Sequence, residues 1–337
     1  CQTRCTPSPD GNAGEEQLRT EIAVSPDEPD LVVALATGSA NGGSGLYGIY
    51  RSMDAGSTWS FACCGPQPAG PPSSENMNLM GWSDEGLDDG GQYYYDLALD
   101  ISPTNADSIF VGGVNLWVSA DGGSTFVCPA KWSHSSKPEY VHADIHDIRY
   151  MTGTKELWVA GDGGIFFSDD NGANFTRKIN GISGTDFWGF GVGKRDDSVM
   201  LGGTYHNGTL LRDNSVYTNG WVSTDGGDNI RGFVHPVRER EVFSDYNIKY
   251  LSGDREVSNA TRSFQFKPNA SYIIGESSDV LFHPVYWGTW YTGHSESLWL
   301  TTDNGSSFEE VHNFGQKGVS LAMCFSRPET MVVTTGP

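Results

Sequence analysis

Four short stretches of this chain carry one pattern, Ser/Thr-x-Asp-x-Gly-x-Ser/Thr/Asn-aromatic, and its recurrence limits what the chain can fold into. The copies are Ser52, Asp54, Gly56, Thr58 and Trp59; Ser119, Asp121, Gly123, Thr125 and Phe126; Ser168, Asp170, Gly172, Asn174 and Phe175; and Thr301, Asp303, Gly305, Ser307 and Phe308. Two worn copies, Arg212-Asp213-Asn214 and Ser252-Gly253-Asp254, fill the gap before the last. The steps between aspartates are then 67, 49, 43, 41 and 49 residues. Each step has room for four short strands, and four-stranded repeats of about 40–50 residues are the signature of a β-propeller. One such sheet cannot bury both of its faces, so neighbours must stack on it.

A second anchor recurs in phase: an apolar strand, a turn, and a short β-rich run leading to the aspartate. It reads Ile22 to Pro26, Leu97 to Pro103, Ile148 to Tyr150, Phe190 to Val192, Phe233 to Pro236, Leu281 to Pro284 and Met323 to Phe325. The expectation is an all-β, seven-bladed propeller over residues 18–337, with blades starting near 20, 95, 142, 187, 231, 279 and 319 and the last one incomplete. A Pro/Gly/Ser-rich insertion at 62–91 accounts for the long first step, and residues 1–17 form a cysteine-containing leading segment. In the second blade, strands are expected at 93–101, 108–112, 116–119 and 125–128.

Composition agrees. Glycine, at 43 of 337 residues, is nearly twice its usual share, and no stretch holds an amphipathic helical period for three turns. No apolar run approaches the roughly 18–20 residues of a spanning helix, so membrane insertion is not expected. The formal charge of −21 repels phosphate backbones and argues against nucleic acid as a partner.

The motif has its own mechanics at a turn between the third and fourth strands. The carboxylate accepts backbone N–H groups, glycine supplies a positive φ, and the aromatic packs back between sheets. The four copies resemble Asp-boxes, also called BNR repeats, which occur in sialidases, xyloglucan-cleaving hydrolases, sortilin-type receptors and many secreted or cell-surface propellers. More narrowly, Tyr95 to Asn105, Val111 to Trp117, His142 to His146 and Ala160 to Gly164 resemble a group of large exported sortilin-like propellers, many of them bacterial surface proteins. Some of those carry Gln-Asp-Asn-Gly where this chain has Tyr205-His206-Asn207-Gly208.

The best candidate constellation is His142, Asp144 and His146. Strand alternation would set them on one face of an innermost strand, as ligands for a divalent metal ion such as zinc, manganese or iron. Asp162, His206 and Asp228 could approach the same channel. Asp96 and Asp100 would share a face and could be a glycosidase carboxylate pair. Asp84, Glu85, Asp88 and Asp89 form an acidic loop beside Trp82. Tyr286, Trp287, Trp290 and Tyr291, with Phe187 and Trp188, could stack on sugars or on a partner. The even set Cys1, Cys5, Cys63, Cys64, Cys128 and Cys324 fits disulfides of undetermined connectivity. Asn174, Asn207, Asn259, Asn269 and Asn304 lie in sequons and would be glycan acceptors in a eukaryotic secreted protein. No nucleophile elbow, phosphate loop, dinucleotide fingerprint or Arg-Ile-Pro signature appears.

Three functions are compatible with this pattern. The first is a non-enzymatic extracellular structural or adhesion module, on the cell surface or in a filament, contacting copies of itself, protein neighbours or glycans. The second is a secreted glycoside hydrolase of the xyloglucanase type. The third is a sortilin-like ligand-binding ectodomain.

Overall fold

The computed structural model describes residues 16–40, 43–65, 70–182, 184–204, 207–213, 220–225, 231–244, 247–251, 257–263, 280–294, 296–316 and 320–335, and their regular elements are all strands. Each sheet is an antiparallel meander with the strands in chain order. The first holds β1 (Glu16–Val24), β2 (Val32–Ala40), β3 (Gly43–Ser52) and β4 (Ser60–Cys63). The second holds β5 (Ala98–Ile101), β6 (Ile109–Gly112), β7 (Leu116–Ser119) and β8 (Val127–Ala130). The third holds β9 (Ile145–Tyr150), β10 (Leu157–Gly161), β11 (Gly164–Ser168) and β12 (Thr176–Arg177). These three belong to one compact unit, Cys1–Ile182. The second unit, Ser183–Pro337, holds three more sheets. They are β13 (Gly189–Val192), β14 (Val199–Thr204), β15 (Gly208–Asp213) and β16 (Val222–Asp225); β17 (Gly232–Val234), β18 (Glu241–Ser244), β19 (Asn247–Leu251) and β20 (Val257–Ser263); and β21 (Val280–Phe282), β22 (Trp290–His294), β23 (Ser297–Thr301) and β24 (Glu309–Asn313). A pair, β25 (Ser320–Cys324) and β26 (Arg327–Thr334), follows.

Alternation along a strand explains how these sheets pack. In β6, Ile109 and Val111 enter one core with Leu31, Leu35 and Ile49, while Phe110 enters another with Ile148, Leu157 and Val159. Leu99 and Ala98 divide in the same way, as do Trp117 and Leu116. The second sheet is therefore buried on both faces, which is why its strands read as continuous apolar runs. The second unit repeats the device: Val234 and Val242 join Val199 and Leu201, whereas Phe233 and Phe243 join Trp290 and Trp299. The all-β class and the four-stranded, propeller-type blade are thus properties of the molecule.

Several expected boundaries shift. The first strand of the second blade begins at Ala98 rather than 93, because the amides of Tyr95 and Asp96 donate to Gln92 O and close a turn. Asp96 and Asp100 therefore do not share a strand face. The fourth strand begins at Val127 rather than 125, since Thr125 is bound to Asp121. β9 begins at Ile145, because Asp144 lies at φ 64° and breaks the extended run. His142, Asp144 and His146 are consequently not ranged along one strand face.

Candidate functional site

The four aspartate-centred hairpins join the third strand of a sheet to the fourth. In each, the Ser or Thr hydroxyl donates to the aspartate Oδ1 and accepts the glycine N–H: Ser52 to Asp54 at 2.8 Å, Ser119 to Asp121 at 2.8 Å, Ser168 to Asp170 at 2.7 Å and Thr301 to Asp303 at 2.9 Å. The residue four after the aspartate returns its amide to Oδ1 and its side chain to Oδ2, with Thr58, Thr125, Asn174 and Ser307 in that role. Ala55, Asn171 and Asn304 precede the glycine at φ 53–62°, with Gly122 in the equivalent place. The following Gly56, Gly123, Gly172 and Gly305 also have positive φ, where a Cβ would be strained. Phe126 is buried in the first core, and Phe175 and Phe308 pack against others. Trp59 packs against the cluster of Ala34, Ala36, Tyr47 and Tyr50 and also donates its indole N–H to Gly56 O. These carboxylates are committed to their own turns. Of the worn copies, Asp213 is wholly buried and paired with Arg240 at 2.6 Å; 252–254 lie outside the described residues.

Within the first unit, a polar cluster gathers Gln92, Tyr95, Asp96, Asp144, His146 and Asp162. His146 Nε2 lies 2.8 Å from Asp162 Oδ1, and Tyr95 donates its hydroxyl to the same carboxylate at 3.0–3.1 Å. The Tyr95 and His146 rings meet edge-on at 4.8 Å. Burial, then the Asp162 acceptor, pushes the Tyr95 hydroxyl well above its ordinary value. Gln92 Nε2 donates to Asp144 Oδ1 at 2.7 Å. Asp96 is fully enclosed, and beyond its own main-chain N–H and the Asp144 carboxyl no group reaches its oxygens. Burial first, and the Asp144 charge second, push its carboxyl up to about 8. His142 stands apart, with Nδ1 on Ala143 O at 3.0 Å. Asp162 joins His146 as the sequence suggested, whereas His206 and Asp228 lie outside the described residues. Among the described residues, no three His, Cys, Asp or Glu side chains encircle a metal position. The expected trio of His142, Asp144 and His146 is not assembled, because its members turn to different partners.

Asp100 is separate from this cluster. It accepts the amides of Tyr150 at 2.6 Å and Ile101 at 2.9 Å. It bridges β5 to β9 and is no partner for Asp96. The acidic insertion is equally committed. Asp88 accepts the amides of Trp82 and Ser83, Asp89 accepts Ser44 N, and Asp84 pairs with Lys131. At its centre sits a residue that sequence reasoning passed over. Buried Asn78 accepts the amides of Leu46 and Met80 and donates to Asp88 O and Gly90 O. Its neighbours Leu79 and Met80 fill the first core. The Ser-Pro or His-Pro pair that ends the first strand of four sheets belongs to the turn of the second anchor. Ser25, His235 and His283 side chains each accept an amide two or three residues on, sealing the turn.

Other expectations are redistributed. Cys63 and Cys64 are bonded to each other, while Cys128 and Cys324 are thiols, so among the described residues no disulfide links distant strands. Burial pushes the Cys128 thiol up to about 12. Cys1 and Cys5 lie outside the described residues. Asn304 is buried, its amide donating to Glu241 and accepting from Trp290, so it is not a glycan acceptor in the folded chain. Asn174 is exposed but gives its amide to Asp170, and Asn207 is exposed. Asn259 falls on β20 and Asn269 outside the described residues. The aromatic cluster divides: Trp290 is core, whereas Tyr286 and Trp287 are exposed, with the Arg238 guanidinium 3.4 Å from the Trp287 ring centre. Trp188 is exposed as well.

No family model matches the chain, and no curated protein matches it in sequence. Among solved structures it is similar to a GH74 enzyme of Niastella koreensis, at 12% identity over 93% of this chain and 62% of that one, with a TM-score of 0.30. It is similar to the GH74 xyloglucanase of Xanthomonas campestris at 14% identity, covering 94% of this chain and 43% of that one, with a TM-score of 0.31. YCF48 from Cyanidioschyzon merolae is similar at 11% identity, with 90% and 89% covered and a TM-score of 0.32. The chain spans less than two thirds of the length of both GH74 proteins. Likeness this distant says nothing about chemistry, and the fold stands on the sheets themselves.

Proposed function

We propose that this chain is a non-enzymatic extracellular structural or adhesion module, a seven-bladed propeller whose aspartate hairpins are Asp-boxes of the sortilin-like exported kind. One observation carries this reading: the carboxylates of the repeated motif and the Asp96/Asp100 pair offered for catalysis are consumed inside the fold. Asp54, Asp121, Asp170 and Asp303 serve their turns, Asp100 ties two strands, and Asp96 is sealed from substrate. The Cys63–Cys64 disulfide supports an oxidising compartment. The exposed Tyr286 and Trp287, the latter with Arg238 over its ring, suit a glycan or protein neighbour at the cell surface. The β25–β26 pair has exposed residues on both faces, which suits completion by a strand of another copy. Sedimentation of the purified chain, together with binding to immobilised glycans and incubation with xyloglucan, tests the reading. Self-association or glycan retention without release of oligosaccharide is the expected outcome. Liberation of oligosaccharide from xyloglucan overturns it.

A further inference from the structure

We infer that Asp96 and Asp144 are the protein carboxylates of a divalent-cation site of the calcium–magnesium class, built into the first unit. Asp96 is 0% exposed, and beyond its own main-chain N–H and the Asp144 carboxyl no group reaches its carboxylate oxygens. The charges acting most strongly on it are those of Asp144 and then Asp162, both negative. A buried carboxylate with no counter-charge and no donor but its own amide is strongly disfavoured, and a second one beside it makes matters worse. A cation held between the two removes both penalties at once.

The donor chemistry selects the ion. The oxygens near the pair are the Asp162 carboxylate and the main-chain carbonyls of Gln92 and Asp144 that already order this loop, while the Gln92 side chain gives its Nε2 to Asp144 Oδ1. The nearby imidazole, His146, is engaged with Asp162. Softer ions seek nitrogen or sulfur, whereas calcium fills about six to eight positions with carboxylate, amide, carbonyl and water oxygens. Two carboxylates with neutral oxygens and water are sufficient for such an ion. A three-residue cage of His, Cys, Asp or Glu, which this region lacks, is not required. The ligand set thus differs from the trio expected from sequence: Asp144 remains, Asp96 enters, and His142 and His146 leave.

The test uses the full chain stripped with EDTA. Calorimetric titration with calcium chloride, and separately with magnesium chloride, is expected to show one saturable site. The melting temperature should rise with the ion and fall again with EDTA. Asp96→Asn and Asp144→Asn should each weaken binding roughly tenfold or more, since each removes one of two charged ligands. Asp107→Asn, at an exposed carboxylate paired with Arg51, should bind as the wild type does. Terbium luminescence excited through the aromatic rings and reversed by calcium gives a readout that needs no variant. Absence of saturable binding at millimolar calcium or magnesium overturns the site; so does unchanged affinity in Asp96→Asn. The first result would mean that a shared proton neutralises the pair, the second that the ion sits elsewhere.

Discussion

Asp54 and Asp170 are held at about 2, the first chiefly by the Thr58 hydroxyl and the second chiefly by the Asn174 amide. Asp96 is moved the other way, by burial and then by Asp144. The two cases give opposite pH dependences. The hairpin carboxylates are depressed, so what they contribute is present above the unfolded value near 4 and is lost as pH falls toward about 2. Asp96 is raised, so its contribution is present below about 4 and is lost as pH rises through about 8. In chelator, the wild type should therefore lose stability relative to Asp96→Asn between about pH 4 and 8, by at most ~1.4 kcal/mol per pH unit. Urea unfolding of both proteins across that window measures the difference. A difference that stays flat with pH would show that Asp96 titrates normally. Residue identity alone did not separate these aspartates. Asp54 meets partners within four positions, whereas Asp96 is defined by Asp144, far away in the chain.

Hairpins and loops are legible from sequence to the extent that their bonds are local. The Ser/Thr-x-Asp-x-Gly pattern carries its own acceptors, donors and left-handed glycine within one short stretch, so pattern and geometry coincide in all four copies. The insertion at 62–91 is the counter-example. Its composition reads as a solvated loop, but Asn78 pins it to β3 and Met80 enters the core. Asn78→Ala would strand the Leu46 amide and free the Asp88–Gly90 turn. The expected cost is about 2–3 kcal/mol of stability, with faster proteolysis within 70–91 and little change in the far-ultraviolet dichroism. Limited proteolysis followed by mass mapping would locate the cut, and a cleavage pattern like the wild type's would show that Leu79 and Met80 hold the loop unaided. Asn304 carries the same lesson. Its sequon predicts an exposed acceptor, yet the hairpin turns its amide inward onto Glu241 and Trp290.

For the whole molecule, a formal charge of −21 on 337 residues implies self-repulsion in the folded state. Added salt should screen it, so the melting temperature in chelator should rise from low ionic strength to about 0.15 M sodium chloride, where the Debye length has shrunk to about 8 Å. Differential scanning calorimetry at several salt concentrations measures this, and a melting temperature that falls with salt would mean that local ion pairs such as Arg240–Asp213 outweigh the net charge. The sequence by itself determined the all-β class, the four-strand unit and the aspartate hairpins, because period-two alternation and turn chemistry act over a few neighbouring residues. Only the tertiary structure decided which carboxylates meet, which asparagines are buried and how the insertion is tied down. Those outcomes depend on residues brought together from distant parts of the chain, where spacing along the sequence no longer measures distance in space.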